Sequence, residues 1–339
     1  MLTARTCCRP LLCLMLLTIS LSAMLSGCSG GGGGGSSTTP ATTSTPSATT
    51  AAVVSAGPIT GFGSVILNGI EFETTQAEIR VEDQSAREDE LRIGMRVTVE
   101  GVRDNNGVAR ATRVVFRKNV EGLIDSIDVV NNTLVVLGQT VLVDGLTVME
   151  DRVQSSSIAL SALVVGQFVD VSGLIDANGT ILATRIERQT GFVAGVTDVE
   201  VRGTLSGLNT TARTFVLGAL TGNFSTATVA GSLSNGVFVQ VRGTQTAPGS
   251  TITATRVTVE DPTVGGAAGT TIDLEGFVTA FTSATDLHVN GQAVTTTAQT
   301  GFEHGTSADL GLNVRLEIEG HVDTTGLLVA EKLSFVSPQ

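Results

Sequence analysis

The sequence is long, acidic, rich in glycine and poor in aromatic residues. Its 339 residues carry 20 Lys and Arg against 32 Asp and Glu, with 40 glycines, 12 phenylalanines and no Trp or Tyr. A net charge of −12 without Trp or Tyr argues against nucleic-acid binding, which needs basic grooves and aromatic platforms for the bases, so we expect no nucleic-acid partner.

Residues 1–27 have the character of a lipoprotein signal peptide. Arg5 and Arg9 precede an apolar run at 11–25, which is too short for a comfortable membrane span. The run ends in Leu25-Ser26-Gly27-Cys28, which resembles the bacterial lipobox, and the resemblance implies that Cys28 is lipidated and becomes the mature N-terminus. By the same resemblance, Ser29 favours export to the outer membrane. An ordinary signal peptide with a chance cysteine is the alternative.

The segment after the leader has the composition of a tether. Residues 28–56 begin with six consecutive glycines at 30–35 and continue in Ser, Thr, Pro and Ala, so we predict a disordered tether. A segment of this length reaches about 30 Å. All four cysteines lie at or before the cleavage site, which excludes disulfide bonds and Cys-ligated metals: Cys7, Cys8, Cys13 and Cys28. Loss of Arg5 and Arg9 takes the formal net charge from −12 to −14.

Four similar segments follow, and each has the pattern of a β-hairpin: 94–116, 166–188, 236–259 and 313–335. Apolar and polar residues alternate in each first strand, as expected for a strand with one buried face. The predicted inward positions are Val97, Val99, Val169, Val171, Val239, Val241, Leu316 and Ile318. The predicted outward positions are Thr98, Glu100, Asp170, Ser172, Gln240, Arg242, Glu317 and Glu319.

Shorter strands precede each hairpin, and a polar segment separates the two groups. Ser85 and Glu88 have capping-box spacing, which predicts a turn or two of helix. Three strands, a helical turn and two strands resemble an OB-like barrel. The predicted fold class is therefore all-β, a tandem array of four five-stranded OB-like barrel modules after the tether, each with its own core rather than a solenoid's. The modules are 57–118, 119–188, 203–260 and 272–336, with linkers at 189–202 and 261–271.

The repeated pattern also resembles an uncharacterised family of bacterial envelope lipoproteins, built on a domain of unknown function. The shared features are a Gly-x-[Ile/Val] opening, a Val-x-Val-x-Gly strand and an Ala-x-Arg-[Val/Ile] return strand, and they cover nearly all of residues 57–336. The resemblance implies tandem β-modules in the cell envelope. It implies no activity.

The return strands place one basic residue at an equivalent position in each module: Arg113, Arg185, Arg256 and Lys332. One hypothesis is a row of contacts for acidic glycans or lipid phosphates. The alternative, which we prefer, is pairing with acids on neighbouring strands, such as Glu100.

No motif in the sequence indicates a reaction. His288, His304 and His321 lack the spacing of metal ligands, and each Asp-x-x-Gly turn offers one carboxylate where a calcium loop needs several. These turns, at 104–107, 176–179 and 323–326, are typical of hairpins. We therefore predict no catalytic residue, no metal and no cofactor.

These observations predict a non-enzymatic, lipid-anchored protein of the cell envelope that presents repeated β-modules as a scaffold or binding array. The expected partners are the membrane, through the lipid, and an envelope protein or polysaccharide. Binding of envelope polysaccharide or another extracytoplasmic ligand is the alternative function. A hydrolase that uses the histidines of the fourth module is a third hypothesis.

Overall fold

The computed structural model describes residues 50–337, so the predictions for the leader, for Cys28 and for residues 28–49 of the tether lie outside the described residues. The described chain is almost entirely strand and turn. Its helical segments are three single 3-10 turns, at Glu88–Glu90, Leu160–Ala162 and Ser307–Asp309. Within residues 50–337, no helix is long and apolar enough to span a membrane.

The strands fall into four consecutive sets, which we call barrels 1 to 4. Barrel 1 comprises β1 (Thr50–Pro58), β2 (Gly61–Phe62), β3 (Val65–Leu67), β4 (Ile70–Glu73), β5 (Glu78–Val81), β6 (Gln84–Ser85), β7 (Arg96–Asp104) and β8 (Ala109–Phe116). Barrel 2 comprises β9 (Val120–Asp128), β10 (Thr133–Val136), β11 (Gln139–Leu142), β12 (Val148–Asp151), β13 (Ser156–Ser157), β14 (Phe168–Ile175) and β15 (Ile181–Arg188). Barrel 3 comprises β16 (Asp198–Thr204), β17 (Ser206–Asn209), β18 (Thr214–Leu217), β19 (Leu220–Asn223), β20 (Thr228–Ala230), β21 (Phe238–Thr244) and β22 (Ile252–Val259). Barrel 4 comprises β23 (Thr271–Ser283), β24 (Asp286–Val289), β25 (Gln292–Thr295), β26 (Gly301–Glu303), β27 (Arg315–Val322) and β28 (Leu328–Phe335).

Each set closes into a barrel, and barrel 2 shows the pairing most plainly. Its first strand, β9, is antiparallel to both β10 and β14, and β10 is antiparallel to β11. The ring closes because β15 is parallel to β11 and antiparallel to β14. The strand order is therefore first, second, third, fifth, fourth and back to first. The prediction of five-stranded OB-like barrels is confirmed.

The predicted inward face of the long hairpins is also confirmed. All eight inward residues are at most 1% exposed: Val97, Val99, Val169, Val171, Val239, Val241, Leu316 and Ile318. The outward face differs from the prediction, because Ser172 and Gln240 are only 3% and 5% exposed. Barrel 1 covers Ser172, whose hydroxyl accepts a hydrogen bond of 2.9 Å from the backbone N–H of Arg96. The Gln240 side chain donates at 2.8 Å to the buried Glu200 carboxylate of its own barrel.

One glycine recurs at the same place in each long hairpin, and the structure explains why. Gly101, Gly173, Gly243 and Gly320 each follow a shift in strand register, which is a β-bulge. A Cβ atom at Gly173 would lie 2.2 Å from the backbone oxygen of Leu182, and the other three have equivalent contacts of 2.2–2.3 Å. Only glycine permits this close approach of two strands. The bulge explains why the glycine recurs with the hairpin.

Two predicted boundaries and one predicted cap are wrong. Residues 50–56, predicted as tether, form most of β1, which pairs with β7 and β23. Residues 198–202, predicted as linker, begin β16, and Val199 and Val201 there are fully buried. Both strands are rich in small or charged residues, a composition that is typical of loops. They are strands because each also pairs along its second edge with a strand of a neighbouring barrel. Ser85 lies in β6, and the cap is Arg87, whose N–H donates to the Glu90 carboxylate at 2.9 Å.

The barrels are joined in two pairs through their first strands. In barrels 1 and 4, β1 runs parallel to β23, while in barrels 2 and 3, β9 is antiparallel to β16. Barrels 2 and 3 share one apolar core, whereas barrels 1 and 4 have a core each. Each barrel thus closes on itself, as predicted, although the expectation of a separate core fails for barrels 2 and 3.

Candidate functional site

The four equivalent basic residues lie in different environments. The Arg113 guanidinium is 3.5 Å from the Glu100 carboxylate, Lys332 contacts Glu319, and Arg185 is buried at 4% exposure against Glu150 and Glu187. Arg256 is exposed, and no carboxylate within residues 50–337 forms an ion pair with it. These residues therefore do not form one continuous cationic surface.

A cluster of charged side chains fills the space where barrels 1, 2 and 3 meet, and we call it the charged junction. It consists of Glu82, Asp83, Arg117, Lys118, Glu121, Asp170, Glu200, Arg202, Arg242 and Glu260. Arg202, only 5% exposed, lies 2.6 Å from the Glu200 carboxylate and 3.1 Å from that of Glu260. Its guanidinium also donates to the backbone oxygen of Lys118 at 2.5 Å. One arginine thus contacts two sequence-distant parts of the chain.

Lys118 is the second centre of the charged junction. Its ammonium lies 2.9 Å from the Glu121 carboxylate and 3.3 Å from that of Asp170, and its backbone N–H donates to Glu82 at 2.5 Å. Burial alone would lower the pKa of Lys118, but the charges of Asp170, Glu121 and Glu82 outweigh burial and raise it. Lys118 therefore stays charged throughout the physiological range.

Two carboxyl groups of the charged junction titrate near neutrality. Burial, reinforced by the charge of Glu200, raises the pKa of Glu82 to about 7, against the opposing charges of Arg202 and Lys118. Burial likewise raises the pKa of Asp170 to about 7, although Lys118 opposes the shift. Desolvation therefore exceeds the attraction of the neighbouring cations at both groups.

A small cleft of about 210 Å³ borders the charged junction between barrels 1 and 2. Glu82, Lys118, Asp170 and Arg185 contribute to its wall. Most of these groups already contact one another, and Asp170 also accepts a hydrogen bond of 3.0 Å from the side-chain amide of Gln189. The charges of this cleft are therefore used to hold barrels together.

A larger opening, which we call the inter-barrel groove, lies between barrels 2 and 4. Its volume is about 900 Å³. It is lined by Asn131, Asn132, Leu142, Val143, Asp144, Gly145, Asp176 and Leu182 of barrel 2, and by Phe277, Asp309, Asn313, Val314, Arg315, Phe335, Val336 and Ser337 of barrel 4 and its C-terminal end. The backbone N–H of Ala177 donates to the Asn313 side chain at 2.8 Å and joins the two walls.

Two phenylalanines add aromatic surface to an apolar wall that also contains Leu142, Val143, Leu182, Val314 and Val336. Phe277 lies on β23 between the buried Gly276 and Val278, so its side chain points out of barrel 4 and remains half-buried. Phe335 lies at the end of β28 and packs on the core of barrel 4. A Cβ atom at Gly305 would come within 2.5 Å of the Phe335 ring, so this glycine makes room for the ring.

Three aspartates supply hydrogen-bond acceptors to the groove. Each uses one oxygen to hold its own turn: Asp144 accepts from Thr147 N at 3.0 Å, Asp176 from Thr180 N at 2.8 Å, and Asp309 from Thr306 N at 2.9 Å. Within residues 50–337, the second oxygen of each carboxylate accepts no hydrogen bond. All three residues line the groove, so their carboxylates can accept hydrogen bonds from a donor there.

The basic residue that lines the groove is already neutralised. Arg315 donates from Nε and Nη2 to one carboxylate oxygen of Glu275, at 2.9 and 2.5 Å. Both side chains are 12% exposed, so the pair is largely withdrawn from solvent. The groove consequently presents apolar surface, carboxylate acceptors and the side-chain amides of Asn131, Asn132 and Asn313.

The histidines and the Asp-x-x-Gly turns do not assemble into a further site. His321 lies 2.8 Å from Glu331 on the surface of barrel 4. Among the described residues, no group of three or more His, Cys, Asp and Glu side chains converges as metal ligands would. Asp104 and Asp323 accept hydrogen bonds from the N–H groups of their own turns, which confirms the turn interpretation.

Comparison with known families gives a match over most of the chain. A profile described as a domain of unknown function (DUF5666) matches residues 52–115, 121–187, 202–258 and 275–334. Each matched segment falls on one barrel. No curated protein matches the chain.

Proposed function

The chain belongs to the DUF5666 family, and we propose that it is a non-enzymatic protein of the cell envelope that presents its four barrels as one binding scaffold. The observation that carries this proposal is the packing of the repeats. They pair through their first strands, and Arg202 at the charged junction contacts side chains of barrels 1 and 3 at once. A scaffold benefits from such packing, because surfaces on different barrels keep one mutual geometry.

The repeats share framework rather than chemistry, which supports a non-enzymatic role. The bulge glycine and the inward aliphatic residues recur in all four barrels. The basic residues at the equivalent return-strand position are exposed, paired or buried according to their neighbours. The repeats therefore conserve the barrel framework and vary in their surface side chains, as the modules of a binding array do.

The proposed location rests on the leader sequence. The apolar run and Leu25-Ser26-Gly27-Cys28 support export and lipid attachment at Cys28, and Ser29 supports the outer membrane as the destination. The Gly- and Ser-rich residues after Cys28 would separate the barrels from the lipid head groups.

Membrane fractionation of the Cys28→Ala variant tests the anchor. We expect the variant to be released or mislocalised, because Cys28 is the proposed attachment point. Cys13→Ala is the matched control, since it removes a thiol from the leader and should leave the protein in the membrane fraction. Tight membrane association of Cys28→Ala would contradict the lipoprotein proposal.

In-cell crosslinking of the anchored protein, followed by identification of the crosslinked species, tests the scaffold role. We expect an envelope protein or an envelope polysaccharide to be recovered. Recovery of the chain and membrane lipid alone would contradict a scaffold.

A further inference from the structure

We propose that the inter-barrel groove binds an uncharged oligosaccharide. This inference rests on the proposed binding function and gives it a place and a ligand class. It depends on three properties of the groove: its apolar wall, its carboxylates and side-chain amides, and the pairing of its strands at Leu142 and Phe277.

The size and the apolar wall fit a ligand of several sugar rings. Ligand-binding cavities commonly measure about 300–1,000 Å³, and the groove has about 900 Å³. Phe277 and Phe335 are half-buried, so each ring keeps surface for a partner. The C–H face of a pyranose ring packs on an aromatic ring, because that face is apolar and carries partial positive charge opposite the π electrons.

The polar groups of the groove can pair with hydroxyl groups and disfavour anions, because three carboxylates lie beside three side-chain amides. The second carboxylate oxygens of Asp144, Asp176 and Asp309 can accept from sugar hydroxyl groups, which are abundant and neutral. The Arg315 guanidinium already forms an ion pair with Glu275. An acidic ligand would therefore bring its charge beside three aspartates with no unpaired cation lining the described groove.

Two strand positions that line the groove, Leu142 and Phe277, are paired on both sides and offer no open edge to an extended peptide. Leu142 pairs with Thr133 on one side and Leu182 on the other. Phe277 pairs with Arg315 and accepts a hydrogen bond at its carbonyl from Asn290 N at 3.0 Å. A peptide that binds by strand addition needs unpaired backbone groups. Recognition beside Leu142 and Phe277 must therefore use side chains, as oligosaccharide binding does.

A tryptophan reporter makes the proposal measurable, because the chain has no Trp or Tyr. Phe277→Trp places one fluorophore in the groove and keeps an aromatic face there. Phe62→Trp is the matched control, since Phe62 is an exposed strand residue of barrel 1 at 41% exposure. An array of neutral, amine-bearing and acidic oligosaccharides is then titrated against both variants.

We expect neutral oligosaccharides to change the emission of Phe277→Trp and to leave Phe62→Trp unaffected. Phe277→Ala should raise the Kd of the same oligosaccharides at least about tenfold by calorimetry, whereas Phe62→Ala should leave it unchanged. Both Ala variants should melt cooperatively like the parent, which shows that a lost signal is lost binding.

Three outcomes would overturn the proposal: no binding of any neutral oligosaccharide, equal or tighter binding of acidic or amine-bearing ones, and equal weakening by Phe62→Ala. Binding of a basic peptide in place of every oligosaccharide would overturn it as well. Failure here differs from failure of the scaffold function, because crosslinking to an envelope protein would persist in Phe277→Ala.

Discussion

The charged junction and the inter-barrel groove are both spaces between barrels, but they are filled in different ways. At the charged junction, side chains from three barrels approach within 2.6–3.5 Å and neutralise one another. At the groove, the aspartates turn one oxygen to their own turns and leave the other free, and a space of about 900 Å³ remains. The same repeated barrel thus makes one space that is filled by ion pairs and one that stays open.

Both regions depend on folded barrels, so we expect the largest loss of stability from a substitution inside a barrel core. Val169→Asp places an unpaired carboxylate among fully buried residues of the core that barrels 2 and 3 share, so we expect a loss of several kcal/mol or failure to fold. Thr98→Asp, on the outward side of β7, should lower the unfolding free energy by well under about 1 kcal/mol. Thermal unfolding compares the two. Equal losses would mean that the inward and outward faces are assigned wrongly.

The next largest effect separates the charged junction from the surface. Arg202→Met removes a buried cation and leaves Glu200 and Glu260 without their shared partner, which should lower the unfolding free energy by about 3–5 kcal/mol. Arg256→Met is the matched control, because Arg256 is exposed, and it should change stability by less than about 0.5 kcal/mol. Urea denaturation measures both. Similar values for the two variants would show that the junction contributes nothing specific.

A further effect concerns pH and is smaller for each side chain involved. The folded-state pKa of Glu82 and of Asp170 is about 7, above the ordinary values of 4.5 and 3.8, so the folded protein binds more protons than the unfolded chain between these limits. The stability that protonation contributes is therefore present at low pH within this window and is lost as the pH rises through 7. We expect the unfolding free energy to fall by about 2 kcal/mol for each group, about 4 kcal/mol together, between pH 5.5 and 8.

Glu82→Gln isolates this effect, because glutamine keeps a hydrogen-bonding side chain and does not titrate. The decline between pH 5.5 and 8 should become shallower in this variant. Glu71→Gln, at an exposed position of β4, should leave the decline unchanged. An unchanged slope in Glu82→Gln would show that Glu82 does not contribute to the decline.

The sequence predicts the repeated parts of the fold and misses what depends on how the repeats pack. The inward valines and the hairpins could be predicted, because each strand carries its own two-residue period. The two-residue period places Ser172 on an exposed face, but barrel 1 buries it. Residues 50–56 and 198–202 have the composition of tether and linker, but they form strand because each pairs with a second strand that is distant in sequence.

The groove could not be predicted from sequence. Its walls come from barrels 2 and 4, and Ala177 and Asn313, which touch across it, are 136 residues apart. Asp144, Asp176 and Asp309 each belong to an ordinary turn or cap. These three aspartates line one groove only because barrels 2 and 4 pack side by side.

Native-state amide hydrogen exchange on the full chain, with and without Arg202→Met, tests the difference between the two regions most directly. The account predicts faster exchange at amides bonded across the junction, namely Arg202 N to Asn119 O and Gly173 N to the Asn119 side chain. Amides of β27 beside the groove should keep their protection. Unchanged exchange at the junction, or an equal loss of protection in β27, would contradict the claim that the junction joins the barrels while the groove stays open between them.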